Sequence, residues 1–121
     1  MPPPLNRVTI YTKRIPEMAA FYALHFGYVA LETPGDRLVE LRPPGPGLII
    51  QLHPAGKGQK EGQSLIKLGF DVEDVPAFCQ AAKKKGLAFG ALHKGGGYVF
   101  ANAKDPSGNP ISVTGRAFRK G

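Results

Sequence analysis

Three histidines, one cysteine, a run of glycines and two similarly placed cations are the residues of this chain whose types could do chemistry. Imidazole is the commonest transition-metal ligand, so the histidines come first. His25 falls late in a helical stretch, His53 ends a strand-like run leading into Pro54, and His93 stands just ahead of Lys94-Gly95-Gly96-Gly97. No two of them share a helix at ligand spacing. Cys79 follows Phe78 in a second helical stretch, where a cysteine reads as a small buried hydrophobe rather than a nucleophile. The glycine run lacks the Lys-Ser/Thr ending and following helix of a phosphate loop, and reads as a hairpin turn. That leaves Arg7 and Lys67. Arg7 alternates with Thr9 and Tyr11, and Lys67 with Gly69 and Asp71, so each cation heads the polar face of a strand. A guanidinium fork and an ammonium group in such places suit an anionic ligand. Internal pairing with Asp71 or Glu40 explains the same cations without a ligand, and both explanations stand open.

The elements that must position these residues come in two similar sets. Residues 5 to 12 alternate apolar and polar, with Val8 and Ile10 facing one way and Arg7, Thr9 and Tyr11 the other, as a half-buried strand does. Pro16 and Glu17 open a helix that carries Phe21 and Tyr22 and stops at Gly27. Strands follow over about residues 28 to 32, 37 to 42 and 48 to 53, the first two joined by Pro34-Gly35-Asp36. Residues 54 to 64 have the polar, glycine-rich composition of a linker. The pattern then returns: a strand over 65 to 72, a helix capped by Asp74 with Pro76 in its first turn and Gly86 at its end, and strands over 87 to 93, 98 to 103 and 111 to 114. Pro76 follows Pro16, and Lys67 follows Arg7, by the same 60 residues. Asp105-Pro106-Ser107-Gly108-Asn109 between the last two strands is a turn by composition, with Pro106 presetting φ and Gly108 free to take a positive one.

A repeat at that period predicts an α+β chain of two βαβββ units, about 5 to 54 and 65 to 115, forming one domain. A helix on the apolar back of each sheet leaves the polar fronts to face each other, as a curved mixed sheet around a cleft. An ordinary α+β sandwich with solvated fronts is the alternative. Composition sets further bounds. A chain of 121 residues with 42% hydrophobic and 21% charged residues can bury a core without staples. One cysteine allows no intramolecular disulfide, residues 1 to 7 lack the apolar stretch of a secretion signal, and no run is long enough to span a bilayer, so a cytoplasmic protein with no membrane partner is expected. The net charge of +7 suits an acidic partner. Its cations are spread along the chain, and the one cluster, Lys83-Lys84-Lys85, sits where it complements a helix dipole, so no nucleic-acid partner is expected.

Three stretches carry a family resemblance: Phe21-Tyr22 with Phe26-Gly27, Gly69-Phe70-Asp71-Val72-Glu73-Asp74-Val75, and the Asp105 to Pro110 hairpin. In order and spacing they resemble the vicinal oxygen chelate superfamily of glyoxalases, extradiol dioxygenases and bleomycin resistance proteins. The resemblance covers nearly the whole chain and implies a glyoxalase-like fold. In metal-dependent relatives the ligands come from the first and last strand of each unit, and the matching positions here are Arg7, Gln51, Lys67 and Ser112. Arginine has no lone pair to give, lysine would have to shed its proton in a site already cationic, and a serine hydroxyl is a poor ligand. The expectation is therefore a member with no metal and no cofactor.

Two functions follow from the resemblance. One is a protein that binds a small, anionic or aromatic molecule in a metal-free cleft, with Arg7, Tyr11, Gln51, His53, Lys67 and Ser112 as ligand-binding residues. His53 joins this set because it lies two residues beyond Gln51 on the same strand face. The other is a lyase or isomerase working by general acid and base through Asp71, His53 or Tyr11. The lost ligands favour binding. A cationic drug such as bleomycin is a poor fit to a basic chain. Relatives of this size commonly build their site from two chains, so a homodimer is expected.

Overall fold

The computed structural model describes residues 2 to 120. The elements run β1 (Arg7–Thr12), α1 (Ile15–Phe26), β2 (Val29–Leu31), β3 (Val39–Arg42), β4 (Ile49–Pro54), β5 (Leu68–Asp71), α2 (Val75–Lys84), β6 (His93–Lys94), β7 (Val99–Lys104) and β8 (Pro110–Thr114), followed by a 3-10 turn at Arg116–Phe118. This is βαβββ twice. The chain divides into two compact units between Glu61 and Gly62. Each unit makes its own four-stranded mixed sheet, ordered β1-β4-β3-β2 and β5-β8-β7-β6, in which the first strand runs parallel to the last and the other pairings are antiparallel.

The alternation of β1 sets the first sheet's two faces. Val8 and Ile10 pair with Ile50 and Leu52 of β4. These two β4 residues join Leu41, Met18 and Tyr22 in the buried core, and α1 packs on β3 and β4. Pro16 and Glu17 sit in the first turn of α1, and Gly27 ends it at φ 70, a left-handed conformation that glycine adopts without a Cβ penalty. Tyr28 N then donates back to Tyr22 O at 3.1 Å. Arg14, before α1, has no capping side chain. The Glu61 carboxylate covers this end instead, accepting from Lys13 N and lying 3.8 Å from Arg14 Nε. The stretch that reads as a free linker is thus tied to the first unit.

The second unit repeats the scheme. Ile111 and Val113 of β8 and Ala101 of β7 are buried with Val75 and Ala82 of α2. Asp74 Oδ1 accepts from Ala77 N at 3.0 Å and caps α2. Between β7 and β8, Asp105 Oδ1 accepts from Ser107 N at 3.0 Å and Asn109 N at 2.9 Å, with Gly108 at φ 84. The hairpin expected from composition is there. Gly62 crosses it closely: a Cβ on Gly62 would lie 3.2 Å from Ser107 O, and one on Gly108 would lie 3.1 Å from Gly62 Cα.

One expected strand is mostly absent. Residues 87 to 93 form no ladder until His93, apart from a single bond from Gly90 N to Asn102 O at 2.9 Å. Gly90 interrupts the run, and Leu, Ala and Gly supply none of the β-branched surface that holds a strand.

Candidate functional site

In the first unit, the polar face of β1 becomes one side of a compact polar cluster. Parallel pairing puts Thr9 beside Gln51 and Tyr11 beside His53, and antiparallel pairing puts Glu40 of β3 on the other side of Gln51. Arg7 reaches across β4, and its Nη1 lies 2.8 Å from Glu40 Oε1, with the side chains 53% and 15% exposed. Arg42 Nε takes the other oxygen of Glu40 at 2.6 Å. Hydrogen bonds from Arg7 and then Arg42 hold the Glu40 carboxyl below its ordinary value. Two cations share one anion, so the cluster keeps a positive charge. Beside it the Tyr11 and His53 rings lie 5.3 Å apart at 57°. His53 Nδ1 is 3.1 Å from Pro54 O. A carbonyl only accepts, so Nδ1 is the donor in this hydrogen bond.

The second unit has the same plan with different chemistry. Lys67, one residue ahead of β5, sends Nζ to Asn102 Oδ1 of β7 at 3.0 Å and lies 5.4 Å from the Phe100 ring centroid. The strand it crosses carries Ser112, which pairs with Gly69 on one side and Asn102 on the other. Ser112 is buried. A Cβ on Gly69 would stand 3.7 Å from its Oγ, and glycine leaves that space clear. Asp71 does not pair with Lys67, so among the described residues the ammonium meets a neutral amide and keeps its charge.

Of the residues that the sequence singles out, Arg7, Tyr11, Gln51 and His53 share one face of the first sheet, and Lys67 and Ser112 share the front of the second. Internal pairing holds for Arg7 through Glu40. Sequence reasoning missed Arg42, Asn102 and Phe100. Their signal is parity: Arg42 is two residues from Glu40, and Phe100 and Asn102 alternate with the buried Ala101.

The ligand positions do not fit a divalent ion. Arg7 is engaged in an ion pair, Lys67 donates a hydrogen bond, and neither offers a lone pair, which leaves Gln51 and Ser112 as neutral oxygens. Among the described residues no three of His, Cys, Asp and Glu are grouped to hold a metal. His25 packs its ring 4.8 Å from Phe21 on α1, and His93 stacks 5.1 Å from Phe100. Cys79 is half-buried, and burial pushes its thiol pKa up, away from nucleophilic use.

Comparison with known proteins gives one family and several fold neighbours. The family model described as Glyoxalase/Bleomycin resistance protein/Dioxygenase superfamily matches residues 5–113. Among solved structures, UcmS2 superposes with a TM-score of 0.78 at 21% identity, covering 95% of this chain and 99% of that one. TnmS3, an antibiotic binding protein from Streptomyces sp. CB03234, gives 0.76 at 20% identity over 92% and 93%. Lactoylglutathione lyase from Agrobacterium tumefaciens gives 0.70 at 16% identity over 93% and 93%. At these identities the likeness is one of fold. Among curated proteins none matches the chain.

Proposed function

The chain belongs to the Glyoxalase/Bleomycin resistance protein/Dioxygenase superfamily, and from that premise we propose that it binds a small anionic or aromatic molecule without a metal ion. The observation that carries this reading is the surplus of positive charge on both polar faces. Arg7 shares Glu40 with Arg42, and Lys67 rests on Asn102. An incoming carboxylate can recruit Arg7 while Arg42 keeps Glu40 neutralised, and it can take Lys67 without breaking an ion pair. In the first unit Gln51 and the half-exposed Tyr11 ring beside His53 offer a hydrogen-bonding group and a flat apolar wall, and in the second unit Ser112 offers a hydroxyl. The antibiotic binding described for TnmS3 supports the same kind of use.

We place the protein in the cytoplasm as a homodimer; no helix among the described residues is long and apolar enough to cross a membrane. A screen of small anionic and aromatic molecules followed by amide chemical shifts tests the reading. Shifts clustering at Arg7, Gln51, Lys67 and Ser112 are expected, and shifts confined elsewhere would remove the assignment. Elemental analysis should find no stoichiometric Zn, Ni or Fe, and a chelator should leave the melting temperature unchanged.

The contact of His53 Nδ1 with Pro54 O favours a second reading, a lyase or isomerase acting by general acid and base. With Nδ1 donating to Pro54 O, the Nε2 of a neutral His53 can take the proton from the hydroxyl-bearing carbon of an α-hydroxy carbonyl compound and, once a proton has passed between the two enediolate oxygens, return it to the former carbonyl carbon. Arg7 would balance the enolate charge. Exchange of such a proton into deuterated water, lost in His53→Gln, supports it; no exchange with any bound carbonyl compound rejects it.

A further inference from the structure

A row of cations on aromatic rings runs along the front of the second sheet and off its end. Lys67 Nζ lies 5.4 Å from the Phe100 centroid, and the Phe100 and Tyr98 rings are 6.2 Å apart. The guanidinium groups of Arg116 and Arg119 stand 5.5 and 5.9 Å from the Tyr98 centroid. Arg116 Nη1 also donates to the Tyr98 hydroxyl at 3.1 Å.

The backbone explains the alignment. Tyr98 and Phe100 are two residues apart and share a face, Phe100 pairs with Thr114, and Arg116 follows Thr114 by two. The 3-10 turn at Arg116–Phe118 then brings Arg119 back over Tyr98. Gly95 completes the device, since a Cβ there would fall 2.3 Å from the Tyr98 ring. Gly95 is thus the bed on which this ring lies.

Among the described residues no carboxylate lies within ion-pair distance of Lys67, Arg116 or Arg119; Glu73 and Asp74, which line the pocket beside Tyr98 and Arg119, stand beyond it. From Gly62 onward nine Lys and Arg face four Asp and Glu, which puts +5 of the chain's +7 in this unit. A cation on a ring face keeps its charge and is already ordered, so it loses little freedom when it takes a ligand. One carboxylate would satisfy one of the three. Several linked oxyanions would satisfy all of them, and the guanidinium fork matches phosphate oxygens two at a time.

We propose that Lys67, Arg116 and Arg119, held on Phe100 and Tyr98, form a site for a chain of linked phosphates. The sequence sets Lys67 far from Arg116 and Arg119 and suggests no polyanion site; the fold gathers them. Free polyphosphate, a nucleoside polyphosphate and a nucleic-acid backbone share this chemistry. The site shares Lys67 with the reading above and uses nothing from the first unit.

Calorimetric titration of the full chain at low salt tests it, with inorganic tripolyphosphate, a nucleoside triphosphate and an oligodeoxythymidylate as probes and orthophosphate as reference. Tripolyphosphate should bind at least about tenfold tighter than orthophosphate, because three cations engage one chain. Arg116→Gln with Arg119→Gln should weaken it by roughly tenfold or more. Lys83→Gln with Lys84→Gln removes as many charges at the far end of α2 and should change it less than about twofold. Tyr98→Leu, which removes no charge, should also weaken binding. Tight binding of the oligonucleotide alone, with the same variant pattern, assigns the site to nucleic acid; binding of all three assigns it to the phosphate chain itself. Equal losses in the two double variants, or no binding of any probe, would overturn the proposal. Loss of small-anion binding in Arg7→Ala bears only on the earlier reading, since Arg7 lies outside this array.

Discussion

Lys67 donates to Asn102 at 3.0 Å in the place where the first unit has the Arg7–Glu40 ion pair at 2.8 Å. In both units a cation from the start of the first strand reaches over the last strand to an acceptor on the third. The repeat has kept the geometry and changed the charge. Asn102→Asp should therefore convert the second unit to the chemistry of the first. Binding of a small anion should fall severalfold as Lys67 is neutralised, with the melting temperature unchanged or slightly raised, because an exposed ion pair adds at most about 1 kcal/mol. Calorimetry beside a thermal melt reads both.

Glu40 gives a pH signature. Its carboxyl is held below the ordinary value of 4.5 by Arg7 and Arg42. A depressed pKa means stability that is present above the unfolded-state value and lost as pH falls through the folded-state value. The melting temperatures of the parent and Glu40→Gln should differ by a constant amount from neutral pH down to about pH 5, and the gap should close below that. A gap that widens on acidification would contradict the assignment.

The hairpin turn should be fragile at two points. Asp105 is buried and accepts from Ser107 N, Asn109 N and Asn109 Nδ2. Asp105→Ala leaves buried donors unpaired and should cost about 1–3 kcal/mol in chemical denaturation. Gly108→Ala meets both a positive φ and the Gly62 backbone, and should cost a similar, roughly 1–3 kcal/mol amount.

These turn and cap positions were the most legible part of the chain. Asp74, Gly27, Gly86, Asp105 and Gly108 act through bonds or dihedrals within a few residues, so local sequence carries them. The faces of β1, β4 and β8 were legible because alternation has a period of two. Partner choice was not, since it depends on register between strands far apart in sequence. Glu40 was one of two candidates for Arg7 and is the partner found, whereas Asp71, the neighbour by sequence, leaves Lys67 to Asn102. Residues 87 to 92 failed as a strand because Gly90 and the lack of β-branched residues outweigh an apolar run that reads as a strand by hydrophobicity alone.

The assembly state is open to a direct check. Each sheet has two edge strands, β1 and β2 in one and β5 and β6 in the other, and Leu5, Val29, Leu65 and Ile66 are exposed. Such edges and side chains are what the second copy of the proposed homodimer would cover. Sedimentation at micromolar concentration should give a dimer, and Leu65→Lys with Ile66→Lys should shift it toward monomer. A clean monomer of the parent would count against the pairing.

The central claim is that Arg7 and Lys67 serve a ligand more than they serve the fold. Isothermal titration of the tightest small anion found by screening, into the parent, Arg7→Ala and Lys67→Ala, measures it most directly, with a melt of each protein alongside. Each variant should lose roughly tenfold to a hundredfold in affinity, the range for charged hydrogen bonds, while its melting temperature stays close to the parent's because Glu40 keeps Arg42 and Asn102 is neutral. Unchanged affinity together with a large drop in melting temperature would show that the two cations hold the sheets and bind nothing.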